Sequence, residues 1–416
     1  MKVADYIVAD PFSETPIEPD EINLMVNREE EKERIEIIID SASKGFGQNL
    51  AILGYDGIGK TSIMNYIEAM CRIRSGIYLS RINITTDTKE DVIVKSLIKD
   101  LLEQINIGLG NLILSLVGLG KKEQLDMISK RIKGISIEES LINTIQIPLL
   151  GIISIATNIV ERKGRPEDIF EALQLLQEIM KITKKEAKSI VVLLDEAGYV
   201  AVDRSIHLLQ RMKLLFQRKP FMLCIAGSPL LFSEYSKIEP TFVNLFPEQN
   251  RFHLSPLEVQ HIKELIKKRL APVRKKGKGI EPFTSESIET LNEETKGNPR
   301  YIIRLASYAL HLAKEDTTVK PEHIIKASDK IYQELGKDLF DRLSPSLREI
   351  VIVINKFPNS TQEEIRKYSK SDLSPASISL KMRELESLGF IDVKQIGREK
   401  RCVLNKPLTK YCSTFY

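Results

Sequence analysis

Residues 49–62 read NLAILGYDGIGKTS. Asn49–Gly54 is an apolar run of buried-strand length, and residues 61–73, TSIMNYIEAMCRI, repeat their apolar positions with helical spacing. Between them Gly54, Asp56, Gly57, Ile58, Gly59, Lys60, Thr61 and Ser62 fill the pattern G-x-x-x-x-G-K-T and its first helical residue. Glycines at those positions let successive backbone N–H groups turn toward one point, and the helix N-terminus adds its partial positive charge. Lys60 supplies a point charge for the terminal phosphates of a nucleotide, and the Thr61 hydroxyl is a ligand for Mg²⁺. A glycine-rich turn that only packs a helix on a strand would also match. The strand before and the helix after favour a phosphate loop, with ATP or ADP and Mg²⁺ as cofactors.

Outward from this stretch, strands are expected at 77–85, 189–194, 221–226 and 251–254, with helices at 27–45, 88–104 and 203–216. Strands alternating with helices predict an α/β fold with a parallel sheet buried on both faces. The run IVVLLDE delivers Asp195 and Glu196 to a strand's carboxyl end, where ligands of such sheets bind. There Asp195 can hold Mg²⁺ and Glu196 can orient or deprotonate the attacking water. An acid pair capping the next helix is the plainer reading. Ser228, after the strand at 221–226, suits either a contact with the terminal phosphate or an N-cap before Pro229. Arg300, in KGNPR, suits a phosphate contact from a helical lid, because a guanidinium matches phosphate oxygens in pairs; a surface arginine is the alternative.

From Pro256 the periodicity is helical, near 256–270, 284–295, 298–314 and 320–336. The expected division is an extended lead at 1–22, a nucleotide-binding core at 23–255, a helical lid at 256–337 and a small domain at 340–416. Asn27 is the expected N-cap of the first helix. Residues 105–165 stand out as an insert. Within it Leu141–Val160 is 20 uncharged residues, the length of a membrane span. Asn143, Gln146, Pro148 and Asn158 are costly in hydrocarbon, so a buried or partner-covered segment is expected and a membrane segment is the alternative.

Composition sets the frame. A chain of 416 residues, 42% hydrophobic and 28% charged, is long enough for several domains and excludes a mainly disordered or fibrous protein. Cysteines at 71, 224, 402 and 412, without close Cys or His neighbours, exclude a zinc ribbon and a dense disulfide framework. The start, with Asp5 and Asp10 and no long apolar core, is not expected to be a signal peptide, and a cytoplasmic location is expected. The net charge of +4 is unevenly placed. Residues 341–416 hold 14 Lys and Arg against 9 Asp and Glu, while the first 340 hold 47 against 48. A near-neutral body with a basic tail suggests a polyanionic partner for the tail.

Within the tail, helices are expected at 346–356, 361–370 and 375–388, closed by Gly389, then a hairpin from Phe390–Ile396 and Lys400–Leu404. Ile378, Met382, Leu385 and Leu388 recur at helical spacing and are expected inward, leaving Ser377, Ser379, Lys381 and Arg383 outward. The hairpin is tipped by Arg398, with Lys394, Lys400 and Arg401 beside it. This order resembles a winged helix, whose third helix enters the major groove of duplex DNA while the wing meets phosphates. Winged helices also bind proteins.

Residues PFSETP at 11–16, Val26-Asn-Arg28, GYDGIGKT, LLDEAG, IAGS and GNPR together resemble the AAA+ ATPases, specifically the origin-recognition and replication-initiator clade with its archaeal relatives. The resemblance covers about residues 10–335 and implies an AAA+ core with a helical lid. It implies that Lys60 and Thr61 are Walker A, Asp195 and Glu196 Walker B, Ser228 sensor 1 and Arg300 sensor 2. It places Val26 and Arg28 against the adenine. It implies a homo-oligomeric ring or filament with an arginine finger; Arg251 is the candidate, with Arg204 and Arg211 as alternatives. Two departures stand out. Lys60 and Asp195 are 135 positions apart, and Ser228 replaces the more familiar Asn or Thr.

The leading expectation is a slow, nucleotide-switched ATPase that binds duplex DNA, as an initiator or a transposition or plasmid regulator. The alternative is a signalling or defence-type scaffold whose tail, or whose insert at 105–165, binds protein.

Overall fold

The computed structural model describes residues 2–83, 100, 188–195, 216–217, 219–229, 232, 240–369, 373–397 and 399–415. The insert at 105–165, the helices expected at 88–104 and across most of 203–216, and Glu196, Arg204, Arg211 and Arg398 lie outside them.

Five parallel strands form the central sheet: β1 (Leu50–Leu53), β2 (Ile77–Asn83), β3 (Ser189–Asp195), β4 (Phe221–Gly227) and β5 (Arg251–His253), in the order β2-β3-β4-β1-β5. Every residue of β1, β3 and β4 is buried, which is why they read as unbroken apolar runs. β1 lies between β4 and β5, so its carboxyl end opens where the strand order reverses, the usual ligand position in such sheets.

Two helices bracket that end: α1 (Glu29–Ser43) and α2 (Lys60–Arg72). The N-cap of α1 is Arg28 at φ 114, one residue later than the expected Asn27. Asn27 is itself left-handed at φ 52, and its Oδ1 accepts from the adjacent Arg28 N at 3.1 Å. Its side chain therefore serves the wrong amide to cap the helix.

A second core gathers α3 (Val259–Leu270), α4 (Ser285–Thr295), α5 (Pro299–Leu312) and α6 (Pro321–Arg342). The N-terminal residues belong to it. Val3 and Phe12 are buried there, Phe12 meets Phe283 edge-on at 5.8 Å, and Val3 N donates to Asp316 O at 2.7 Å. Burial of two such side chains is worth roughly 1.5–3 kcal/mol each, enough to hold the lead as a strap.

α6 does not stop at Gly336 as expected; it continues to Arg342. Gly336 is a point of contact. A Cβ built there would lie 2.1 Å from Pro407 O and 2.7 Å from Tyr411 Cβ. The glycine leaves room for α10 (Lys406–Cys412), a helix the sequence pattern did not disclose.

The third core belongs to the tail: α7 (Pro345–Lys356), α8 (Gln362–Tyr368), α9 (Pro375–Ser387), β6 (Ser360–Thr361), β7 (Ile391–Ile396) and β8 (Glu399–Leu404). The strands form an antiparallel sheet in the order β6-β8-β7. Three helices followed by a hairpin are the winged-helix arrangement, and Gly389 closes α9 at φ 70. Cys71, Cys224, Cys402 and Cys412 are all buried and free. Among the described residues no helix is long and apolar enough to cross a membrane.

Candidate nucleotide-binding site

The loop between β1 and α2 is anchored to the sheet by Gly54 N, which donates to Gly227 O at 3.0 Å. Gly57 and Gly59 take φ 76 and φ 103, conformations that side chains other than glycine adopt at a cost. A Cβ at Gly57 would also lie 2.7 Å from Asn298 Oδ1 and 2.9 Å from Arg300 Cβ, so the loop and the start of α5 are in direct contact.

This contact is built by the turn Gly297-Asn298-Pro299. Asn298 caps α5 by accepting from Arg300 N at 3.1 Å and Tyr301 N at 3.4 Å, with Pro299 at the first helical position. Its Nδ2 donates to Asp56 O at 2.8 Å, and Arg300 N donates to Gly57 O at 3.2 Å. The Arg300 guanidinium pairs with Asp56 Oδ2 at 2.5 Å. Lys60 Nζ donates to Tyr55 O at 2.9 Å.

A cleft of about 990 Å³, counted to its open mouth, runs along the loop between core and lid. It brings together Val26, Arg28, Asp56, Gly57, Ile58, Gly59, Lys60, Thr61, Ser62 and Arg300 from the expected set. Its other walls were not anticipated: Leu257, Leu265 and Arg269 of the lid, Ile303 of α5, and Glu14–Ile17 of the strap. The strap reaches α2 directly, since Ile17 N donates to Ser62 Oγ at 3.3 Å and Ile17 O accepts from Asn65 Nδ2 at 2.7 Å. PFSETP carried the resemblance, but its role as a wall depends on partners in distant parts of the chain, Arg269 for Ser13 and Arg304 for Glu14.

Val26 is buried and lines the cleft. Arg28 lines it too, although its guanidinium turns to Ser255 O and stands 3.8 Å from Glu31. Burial lowers the Arg28 pKa, against the pull of Glu31 and Glu29. Arg269 is equally buried. Its NH1 reaches Ser13 O at 3.3 Å and Pro11 O at 3.5 Å, its Nε has no partner among the described residues, and burial lowers its pKa.

Asp195 ends β3 opposite Asn83 and is 2% exposed. Its Oδ2 pairs with Arg81 NH2 at 3.0 Å, and Arg81 also pairs with Glu68 of α2 at 2.8 Å. Arg81 was not anticipated; only the β2–β3 register brings it to Asp195. Burial would raise the Glu68 pKa, yet hydrogen bonds from Arg72 and Arg81 outweigh it and hold the carboxyl below its ordinary value. Ser228 follows Gly227, the β4 residue that accepts from Gly54 N.

Arg251 is not among the residues lining the cleft. Its Nε donates to Phe246 O at 2.9 Å and its NH2 to Val243 O at 3.0 Å, with the guanidinium 5.1 Å from the Phe232 ring centre. These contacts tie its guanidinium to two backbone carbonyls of its own chain.

On the winged helix the expected faces need correction. Ile378, Met382 and Leu385 are buried, whereas Leu388 is 38% exposed because the helix ends there and the chain turns away. Lys381 is not outward. It flanks the buried stripe and donates to Ser346 Oγ of α7 at 2.6 Å. Ser377 and Ser379 are half-buried, and Arg383 is exposed together with Leu380. In the hairpin Lys394 and Lys400 are exposed. Arg401 is tied to Asn359 O at 3.0 Å and to Glu399 at 2.6 Å, which removes it from the set of available cations.

The winged helix abuts the site. Lys296, one residue before the Gly297 turn, pairs with Asp392 of β7 at 2.5 Å. Burial, and then the carboxylates of Glu386 and Asp392, raise the Tyr55 pKa. The tip of the phosphate loop thus lies within electrostatic reach of α9 and β7.

No protein-family model matches the chain. It is 26% identical over 404 residues, 96% of its own length and 90% of the relative's, to an uncharacterized HTH-type transcriptional regulator of Methanocaldococcus jannaschii. It is similar in structure to the Aeropyrum pernix ORC2 protein in its ADPNP–ADP complexes, at a TM-score of 0.55 and 14% identity over 98% of each chain. The Aeropyrum pernix ORC1 protein in complex with DNA gives a TM-score of 0.54 and 14% identity, over 99% of this chain and 97% of that one. The chain therefore shares the fold of these two structures, an α/β core and helical lid followed by a winged helix.

Proposed function

We propose that this chain is a nucleotide-switched DNA-binding ATPase. The observation that carries the reading is the joining of a complete phosphate loop, through Arg300 and Lys296, to a winged helix fastened on the lid. The cleft accepts a nucleotide by its lining: glycines at positive φ and Lys60 for phosphates, Val26 and Leu265 for an apolar base. The Thr61 hydroxyl and the Asp195 carboxylate are hard oxygen donors, the type Mg²⁺ takes when phosphates and water complete its shell. Mg²⁺ supplies charge neutralisation at the phosphates when bound. Arg81 holds one Asp195 oxygen in place, and Glu196, next in the chain, is the residue we assign to the attacking water. Ser228 is assigned to the same end of the sheet.

The relatives support the DNA half of this reading. One is named an HTH-type regulator and another was solved with DNA. Arg383, Lys394 and Lys400 are exposed for phosphate contact, and Arg398 stands at the hairpin tip in the sequence. A ring or filament of copies remains part of the proposal, with the trans-acting arginine unassigned.

One observation favours a second reading, in which the tail binds protein. Leu380, on the exposed face of the third helix, is 65% exposed, and Glu384 lies on the same face. Titration with duplex DNA at rising salt separates the two. The DNA reading expects affinity to fall steeply with salt, and Lys394→Ala to reduce that slope by about one. Salt-insensitive or absent DNA binding would leave the protein-binding reading. Glu196→Gln is expected to bind ATP and stop turnover; a wild-type rate in that variant would reject the assignment of the base.

A further inference from the structure

Among the described residues three arginines line the cleft, and they are held differently. Arg28 and Arg269 are buried and face backbone carbonyls. Arg300 is half exposed and faces a carboxylate, Asp56, which is itself half exposed. That carboxylate sits inside the phosphate loop, beside glycines whose backbone suits an anion. An acid there repels the polyphosphate the loop would hold, so its place calls for a reason. Its two oxygens have separate tasks: Oδ1 accepts from Gly57 N at 2.9 Å, and Oδ2 meets Arg300 NH1 at 2.5 Å. Lys60 shows the same pattern, donating to the loop's own Tyr55 O.

We propose that Asp56 is a positioning residue for Arg300, its carboxylate holding the guanidinium on the loop in competition with a terminal phosphate oxygen. The inference rests on the nucleotide reading above and deepens it. Both groups are exposed, so the pair is weak and exchangeable. A nucleoside triphosphate offers Arg300 an oxygen in exchange, and a diphosphate offers one fewer phosphate. Asp56 therefore sets how strongly the site distinguishes the two. Because Asn298 Nδ2 and Arg300 N hold the same loop by its backbone carbonyls, the exchange takes place without parting lid from core.

Calorimetric titration with ADP and with a non-hydrolysable ATP analogue tests this. Asp56→Asn keeps an acceptor for Gly57 N and removes the charge. It is expected to raise the preference for the ATP analogue over ADP by about two- to fivefold, the worth of an exposed ion pair. Arg300→Ala is expected to lower that preference, and the double variant to match Arg300→Ala. An equal gain for both nucleotides, or an Asp56→Asn effect that survives in the Arg300→Ala background, would overturn the proposal. Asp56→Ser, which also keeps an oxygen acceptor, is carried alongside with melting curves, so a folding defect in one variant does not decide the outcome. Wild-type protein that binds neither nucleotide would instead sink the nucleotide reading, and this inference with it.

Discussion

The lid meets its two neighbours in opposite ways. Toward the winged helix the junction is close-packed, with ion pairs only at its rim: α6 runs from one unit into the other, Gly336 lies against α10, and Phe340, Tyr411 and Phe415 cluster at 5.0–5.5 Å, while Lys296–Asp392 and Lys406–Glu294 pair at the edge. Toward the core the junction is polar and open. A cleft separates the walls, and the joining contacts are hydrogen bonds and the exposed Arg300–Asp56 pair. Close-packed surfaces resist sliding, while exposed polar contacts exchange with solvent or ligand at little cost. The difference assigns each junction a task. On the function proposed above, the lid and winged helix move as one body, and nucleotide acts where the lid meets the core.

The largest test of that contrast is Gly336→Val. New atoms at a backbone 2.1 Å away must push α10 off α6, with an expected loss of about 1–3 kcal/mol. Chemical denaturation should show it, and an unchanged midpoint would mean the junction is looser than described. On the core side, Asn298→Ala removes an N-cap and the donor to Asp56 O. It is expected to cost about 1 kcal/mol and to weaken nucleotide binding as well. If stability falls while nucleotide affinity does not, the turn belongs to the lid alone.

Lys296→Ala should cost less than about 1 kcal/mol, because the pair with Asp392 is exposed and screened by salt. Its value as a test lies elsewhere. It should reduce the effect of nucleotide on DNA affinity while leaving both separate affinities close to wild type. The smallest effect concerns pH. Glu68 has a depressed carboxyl pKa, so its contribution is present above the ordinary carboxylate range and fades as pH falls through the folded value. Glu68→Gln should therefore be less stable than wild type at pH 7, and the difference should shrink as acid protonates Glu68. A difference that persists in acid would assign the effect to shape, not charge.

The parts of the molecule legible in the sequence are those set by local pattern. The run before Gly54, the strand into Asp195, and Asn298-Pro299 carry their own signals of burial, strand end and helix start. What escaped depends on partners far along the chain. Gly336 looks like a helix breaker until α10 is placed against it. Lys381 looks outward by charge, yet one step around the helix brings it to Ser346. Arg81 becomes part of the site only through the pairing of β2 with β3. Asp56 was visible as a loop residue, but its partner is 244 positions away.

The central claim is that nucleotide in the cleft controls the winged helix. Binding of duplex DNA, measured across a salt series with ATP analogue, ADP and no nucleotide, tests it most directly in wild type and Lys60→Ala. The account predicts salt-sensitive binding whose affinity changes with nucleotide in wild type and does not change in Lys60→Ala. DNA binding that ignores nucleotide in the wild-type protein, or a nucleotide response that survives the loss of Lys60, would contradict it.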